Sequence, residues 1–246
     1  MKNKWFAFTK PHQENMPNIL LFPHAGAGAS AFASWGKVFT QEGFGFYPVQ
    51  YAGRESRMSE PADTDIHKLA EDLVLSEPEL FQGDFIFYGK CLGALTAFAV
   101  SEAMEKYYHH KPKLLITSSG ASPEDMKLER PLNQNIQSLL LKYHFVTEEQ
   151  LKDETFQEYY LPVIQNDYLL QMSFQENYYK IPCDIMAFYG KEDSRLNAEM
   201  LRKWKNYTDG NYTEYAFSGN HFFENQGHLQ EIVSIIKKEV MNYEFE

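Results

Sequence analysis

Cysteine is scarce in this 246-residue chain. Cys91 and Cys183 are the only two, too few for a disulfide framework, and neither stands in a Cys/His spacing that holds structural zinc. Basic charge is also in short supply: 23 Lys and Arg face 34 Asp and Glu, giving a net charge of −11. Such a field repels phosphate backbones and anionic lipid, which argues against a nucleic-acid binder and against a membrane partner. No apolar run approaches the length that spans a bilayer. Lys2, Lys4, Lys10, His12 and Glu14 interrupt the stretch where a signal peptide carries its apolar core, so the chain reads as cytoplasmic. Glycine and proline form no tracts, and no repeat or low-complexity segment is present. What is there, 43% hydrophobic and 15% aromatic residues, suffices for the core of one globular domain over residues 1–246.

Short apolar runs of strand length recur at 18–22, 44–50, 84–88, 113–118, 184–189 and 212–217. Helical patterns lie between them at 66–81 and 92–108, and near the C-terminus Leu229, Ile232, Val233, Ile236 and Val240 fall on one helical face. Strands alternating with helices predict an α/β fold, a mostly parallel sheet with helices on both faces. The alternation fails over roughly 122–180, a polar, Tyr- and Gln-rich stretch that reads as several helices. An insertion placed there predicts a lid over the carboxyl edge of the sheet, where such folds keep their sites.

Directly after the run DFIFY stands Gly89-Lys90-Cys91-Leu92-Gly93-Ala94, followed by a helical pattern. This G-x-C-x-G arrangement matches the strand–turn–helix elbow of α/β-hydrolases, whose nucleophile needs small neighbours because the turn is tight. A cysteine there gains from the helix N-terminus, whose dipole and free amides favour a thiolate. Later runs end in Gly190-Lys191-Glu192-Asp193 and in Ser218-Gly219-Asn220-His221, so the order is nucleophile, acid, base. Cys91, Asp193 and His221 form the expected triad: His221 takes and returns protons, and Asp193 fixes its tautomer. Glu192 stands beside Asp193 as an alternative acid. The expected oxyanion donors are two backbone amides, that of Leu92 after the nucleophile and one from the small-residue loop Phe22 to Ser30. That loop lacks the endings of phosphate-binding motifs.

The chain resembles the type II thioesterases, stand-alone α/β-hydrolases that accompany non-ribosomal peptide and polyketide synthases. The resemblance rests on LLFPHAGAGAS (20–30), Trp35, PVQYAGRESR (48–57), the elbow, SGASP (119–123), LPVIQNDY (161–168), GKED and GNHFF, in family order. It implies the nucleophile at Cys91, acid at Asp193, base at His221, oxyanion amides at Ala25 and Leu92, and the lid in the helical insertion. It further implies hydrolysis of acyl thioesters on the phosphopantetheine arm of acyl- or peptidyl-carrier proteins, by a monomer that needs no cofactor or metal of its own. His24 and Arg54 are expected to support the loops around the site.

Two residues depart from the family's pattern: Cys91 replaces the usual Ser and Lys90 the usual His. Acyl transfer from pantetheine to a cysteine exchanges one thioester for another, and the product stays reactive toward amines, so an amide-forming acyltransferase is an alternative. Lys90 reads as a solvated lysine, or as a cation that lowers the thiol pKa. A dienelactone-hydrolase-like esterase shares the cysteine elbow but leaves HAGAGAS, YAGRE and LPVIQNDY unexplained. A non-catalytic carrier-protein binder is the remaining alternative.

Overall fold

Residue alternation along the apolar runs builds a sheet with two buried faces. In β1 (Asn18–Phe22), Ile19 and Leu21 enter one core while Leu20 and Phe22 enter the other. The same alternation recurs in β3 (Phe85–Lys90), where Phe85 and Phe87 face one way and Ile86 and Tyr88 the other. The computed structural model describes residues 3–13, 15–128 and 135–242. Within them β2 (Gly45–Pro48), β4 (Leu114–Ser118), β5 (Asp184–Gly190) and β6 (Tyr212–Phe217) complete a six-stranded sheet of order β2-β1-β3-β4-β5-β6, with every neighbouring pair parallel.

The helices are α1 (Gly36–Gln41), α2 (Ile66–Ser76), α3 (Leu92–Tyr108), α4 (Pro123–Leu128), α5 (Ile136–Lys142), α6 (Glu148–Lys152), α7 (Leu161–Met172), α8 (Ala198–Arg202) and α9 (Leu229–Asn242). On one face α2 and α3 pack side by side, and on the other α9 buries Ile232, Val233, Ile236 and Val240. Asp65 caps α2 by accepting from the His67 and Lys68 amides, each at 3.0 Å. That helix ends at Ser76 rather than running to 81, because Pro78 disfavours helical torsions at Glu77, whose ψ is +50°. Strand β3 begins one residue later and ends two later than expected, since Gly89 and Lys90 still pair with Thr117 and Ser118. Helices α1 and α8, of six and five residues, are too short to show a helical period in the sequence.

The insertion carries α4 to α7 and no strand among its described residues. Leu140, Leu161 and Ile164 form a small core of its own there. Strand order places the site: the chain leaves β1 for β2 on one side and returns to β3 on the other, so the carboxyl ends of β1 and β3 flank a crevice. Among the described residues no helix is long and apolar enough to cross a membrane.

Candidate active site

Cys91 lies between β3 and α3 with φ +52° and ψ −117°, a left-handed conformation that costs a side-chain-bearing residue about 1–3 kcal/mol. Its surroundings hold it there. The Cys91 amide donates to Ser118 O on β4 at 2.8 Å, and Cys91 O accepts from the Ala94 amide at 3.0 Å. Small neighbours are obligatory: a Cβ on Gly93 would lie 2.0 Å from Phe22 O, and one on Gly89 would lie 2.4 Å from Ala94 Cα. The turn thus sets the sulfur at the N-terminus of a 17-residue helix.

Loops after β5 and β6 bring the other two expected residues to the same place. His221 Nδ1 lies 2.7 Å from Asp193 Oδ2, and Asp193 Oδ1 accepts from the Arg195 and Leu196 amides at 2.9 and 3.3 Å. Burial pushes the Asp193 carboxyl up, but His221 and the two amides outweigh it and hold it below the usual range. Glu192 is exposed and accepts from the Gly219 amide, which leaves Asp193 as the carboxylate on the imidazole.

His221 Nε2 is buried and makes no well-formed hydrogen bond, but it is near enough to Cys91 for the two groups to set each other's charge. Burial pushes the Cys91 thiol up. The charges of Arg195 and His221, with the Leu92 amide, overcome this and bring it down to about 7. Burial also disfavours a charged His221, yet the Cys91 and Asp193 anions raise the imidazole to about 9. Between those values the proton rests on His221 and the sulfur is anionic; the two titrate as a pair.

Leu92 opens α3 beside the sulfur, and Ala25 faces the same cavity from the loop after β1. His24 Nδ1 is 2.9 Å from Ala25 O; a carbonyl only accepts, so Nδ1 carries the proton. Burial, followed by the Lys90 charge, lowers His24 to about 4 and keeps its ring neutral. The next residue, Gly26, donates its amide to Asp167 Oδ2 at 2.7 Å. Arg54 grips both oxygens of Asp167 and donates to Ala27 O at 3.0 Å, so it does support this loop as expected. Asp167 lies within the motif LPVIQNDY, but nothing local in that motif signals a partner 113 residues away.

Lys90 is not solvated and is not the cation acting on the thiol. It is buried, its Nζ is 2.6 Å from Glu224 Oε2, and it sits 4.8 Å from the Phe222 ring centroid. Tyr88 and Ser118 also donate to Glu224 Oε1. The reason is strand alternation: Tyr88 and Lys90 point to the same side of β3, toward the turn that carries Glu224. Besides His221, the cation at the sulfur is Arg195, whose Nη1 donates to Cys91 Sγ at 3.1 Å. A charged residue in a polar loop reads as solvent-facing, and nothing in GKEDSR signals that this one turns inward.

A cavity of about 300 Å³ opens above Cys91. Its far wall comes from the insertion: Leu140, Phe145, Tyr160, Ile164, Tyr168 and Gln171. The Phe145 ring lies 4.8 Å from that of His221. Tyr159, by contrast, points to solvent. The lining is mainly apolar, with Cys91, Arg195 and His221 among its polar groups. Among the described residues no group of three His, Cys, Asp or Glu is placed to hold a metal ion.

Known proteins are similar to this chain in sequence and fold. Phenyloxazoline synthase MbtB of Mycobacterium tuberculosis is 29% identical over 227 residues; the match takes in 90% of this chain but 16% of the synthase, so the chain spans a small part of that relative. Gramicidin S biosynthesis protein GrsT of Aneurinibacillus migulanus is 28% identical over 227 residues, 90% of this chain and 88% of its own. The type II thioesterase BorB from the borrelidin biosynthetic cluster superposes with a TM-score of 0.79 over 98% of both chains at 24% identity, a likeness of fold. The six-stranded parallel sheet with flanking helices is thus the α/β-hydrolase fold of such enzymes. Residues 17–240 match the thioesterase domain model, and the chain belongs to the thioesterase domain family.

Proposed function

We propose that the chain is a type II thioesterase that hydrolyses acyl or peptidyl thioesters from the phosphopantetheine arm of carrier proteins, through an acyl-enzyme on Cys91. The observation that carries this reading is a cysteine on a strained elbow, beside a His–Asp pair, at the floor of a lid-walled apolar cavity. Similarity to a gramicidin S biosynthesis protein, and a fold like that of a type II thioesterase from the borrelidin cluster, support the reading.

The chemistry follows from the proton positions. Sγ of Cys91, as the thiolate, attacks the thioester carbonyl carbon, and the developing oxyanion is met by the Ala25 and Leu92 amides. The bond between the acyl carbon and the pantetheine sulfur breaks, and that sulfur takes the proton from the His221 imidazolium. Neutral His221 then accepts a proton from water as the water oxygen bonds to the acyl carbon; the carbon–Sγ bond breaks and the free acid leaves. Asp193 carries no proton in these steps and orients the ring.

Intact-protein mass spectrometry of the wild type and of Cys91→Ala and His221→Ala, mixed with an acyl-loaded carrier protein, tests the reading. Adduct on Cys91 with release of free acid supports it. With an added amine, amide in excess of acid assigns an acyltransferase instead, and a carrier protein that stays loaded with the wild type as with both variants assigns a binder.

A further inference from the structure

We propose that Arg195 is a catalytic residue that holds the Cys91 sulfur as an anion, in the resting site and again when the acyl-enzyme breaks down. The contact is direct, Nη1 to Sγ at 3.1 Å, between two side chains each more than nine-tenths buried. Arginine keeps its charge at any pH a protein survives, and a neutral thiol is a weak acceptor. A guanidinium aimed at sulfur is therefore a strong contact only with the thiolate, where it becomes a charge-assisted bond in a dry site. The backbone makes the aim specific: Asp193 Oδ1 accepts the Arg195 amide, so the carboxylate that orients His221 also fixes the residue carrying the guanidinium. Nη2 meanwhile reaches Met126 Sδ on α4 at 3.8 Å.

Lys90 beneath the elbow is neutralised by Glu224, and on α4 Glu124 and Asp125 are held by Lys203 at 3.2 and 2.6 Å. His24 is neutral at pH 7. Among the described residues, His221, backed by Asp193, and Arg195 are the cations that act on Cys91.

This role has a consequence at deacylation, which rests on the acyl-enzyme reading. When water has added to the acyl carbon, the oxyanion electron pair re-forms the carbonyl and the carbon–Sγ bond breaks with its electron pair on sulfur. A serine oxygen leaving there would need a proton from His221. The cysteine sulfur leaves unprotonated into the contact with Arg195, and His221 keeps the proton it took from water, which restores the resting ion pair.

The test is the pH dependence of Cys91 alkylation by iodoacetamide, read by peptide-resolved mass spectrometry so that Cys183 is scored separately, in the wild type and in Arg195→Gln, Arg195→Met and Arg195→Lys. Thermal melts confirm that each variant is folded. The two uncharged variants are expected to move the alkylation midpoint upward by about one pH unit or more and to slow the reaction at pH 7 about fivefold, with Arg195→Lys recovering part of the shift. An unmoved midpoint in either folded uncharged variant overturns the proposal. No acyl substrate enters this assay, so a protein that alkylates as expected yet hydrolyses nothing would sink the thioesterase reading and leave the role of Arg195 in the resting site standing.

Discussion

Asp167 on α7 and Arg54 on the loop after β2 form a buried, two-pronged ion pair, with Nη2 to Oδ1 at 2.5 Å and Nη1 to Oδ2 at 2.7 Å. The same carboxylate accepts the Gly26 amide, one residue from the expected oxyanion donor Ala25, so the insertion and that loop share one electrostatic anchor. The fit is close: a Cβ on Gly26 would lie 2.7 Å from Ile164 Cγ1 of α7.

Asp167→Asn leaves the Arg54 guanidinium buried beside a neutral amide. Loss of one partner from a buried pair is expected to destabilise the protein by about 3–5 kcal/mol, measured by urea unfolding. Arg54→Met with Asp167→Leu should recover much of that stability yet remain poorly active, because the Gly26 amide still lacks its acceptor. Full activity in the double variant would show that the anchor serves folding alone.

The pair formed by Glu224 and Lys90 ties the elbow to the turn just after His221. Glu224→Gln strands a buried ammonium and is expected to lower stability by about 3–5 kcal/mol. Lys90→Met combined with Glu224→Gln removes both charges and should lose much less. A thermal-melt series over the three variants checks this, and equal losses throughout would mean that packing, not charge, dominates.

Thioester hydrolysis is expected to follow a bell-shaped pH curve. The kcat/KM value rises as Cys91 ionises through about 7, and falls as His221 loses its proton through about 9, both values belonging to the coupled pair. His221→Gln should lower kcat by about 10²–10⁴-fold. A flat profile from pH 6 to 10 would contradict the assigned proton positions.

His24 links folding to acid pH. Its folded-state value, about 4, lies below the ordinary 6.5, so its contribution is fully present above 6.5 and lost as pH falls through 4. The full shift corresponds to about 3 kcal/mol, reduced to about 2 by the ring's partial solvent access. Urea unfolding at pH 7, 5.5 and 4.5 measures the slope, and His24→Gln is expected to flatten it. An equal slope in that variant would assign the acid sensitivity to other groups.

A Cβ on Gly93 would meet Phe22 O, a backbone atom that cannot swing aside. Gly93→Ala is therefore expected to disrupt the elbow, costing about 3 kcal/mol or more and most of the activity. Circular dichroism and the hydrolysis assay check it; a stable, active variant would show that β1 and α3 can separate.

Local chemistry made much of this protein legible. Strands β1 and β6 begin and end where their apolar runs do, because alternation within a run is a property of neighbours in sequence. Helix α3 likewise matches its pattern, and Gly89, Cys91 and Gly93 mark the elbow because a tight turn restricts residue type at fixed offsets. Boundaries moved where a longer-range partner or Pro78 intervened, as at β3 and α2. Asp193 and Glu192, adjacent in sequence, became distinguishable only when one was seen to meet His221.

By itself, the sequence determined the parallel α/β architecture, the elbow and the chain order of Cys91, Asp193 and His221, since each depends on spacing and residue size within a short window. Tertiary structure decided the charges: that Lys90 turns inward to Glu224, that Asp167 anchors the Ala25 loop through Gly26 and Arg54, and that Arg195 reaches the sulfur. Buried charge pairs join residues 104 to 134 positions apart. A charged side chain carries no local mark of whether it will find such a partner or face water, because that choice is made by desolvation and geometry once the sheet has brought its loops together.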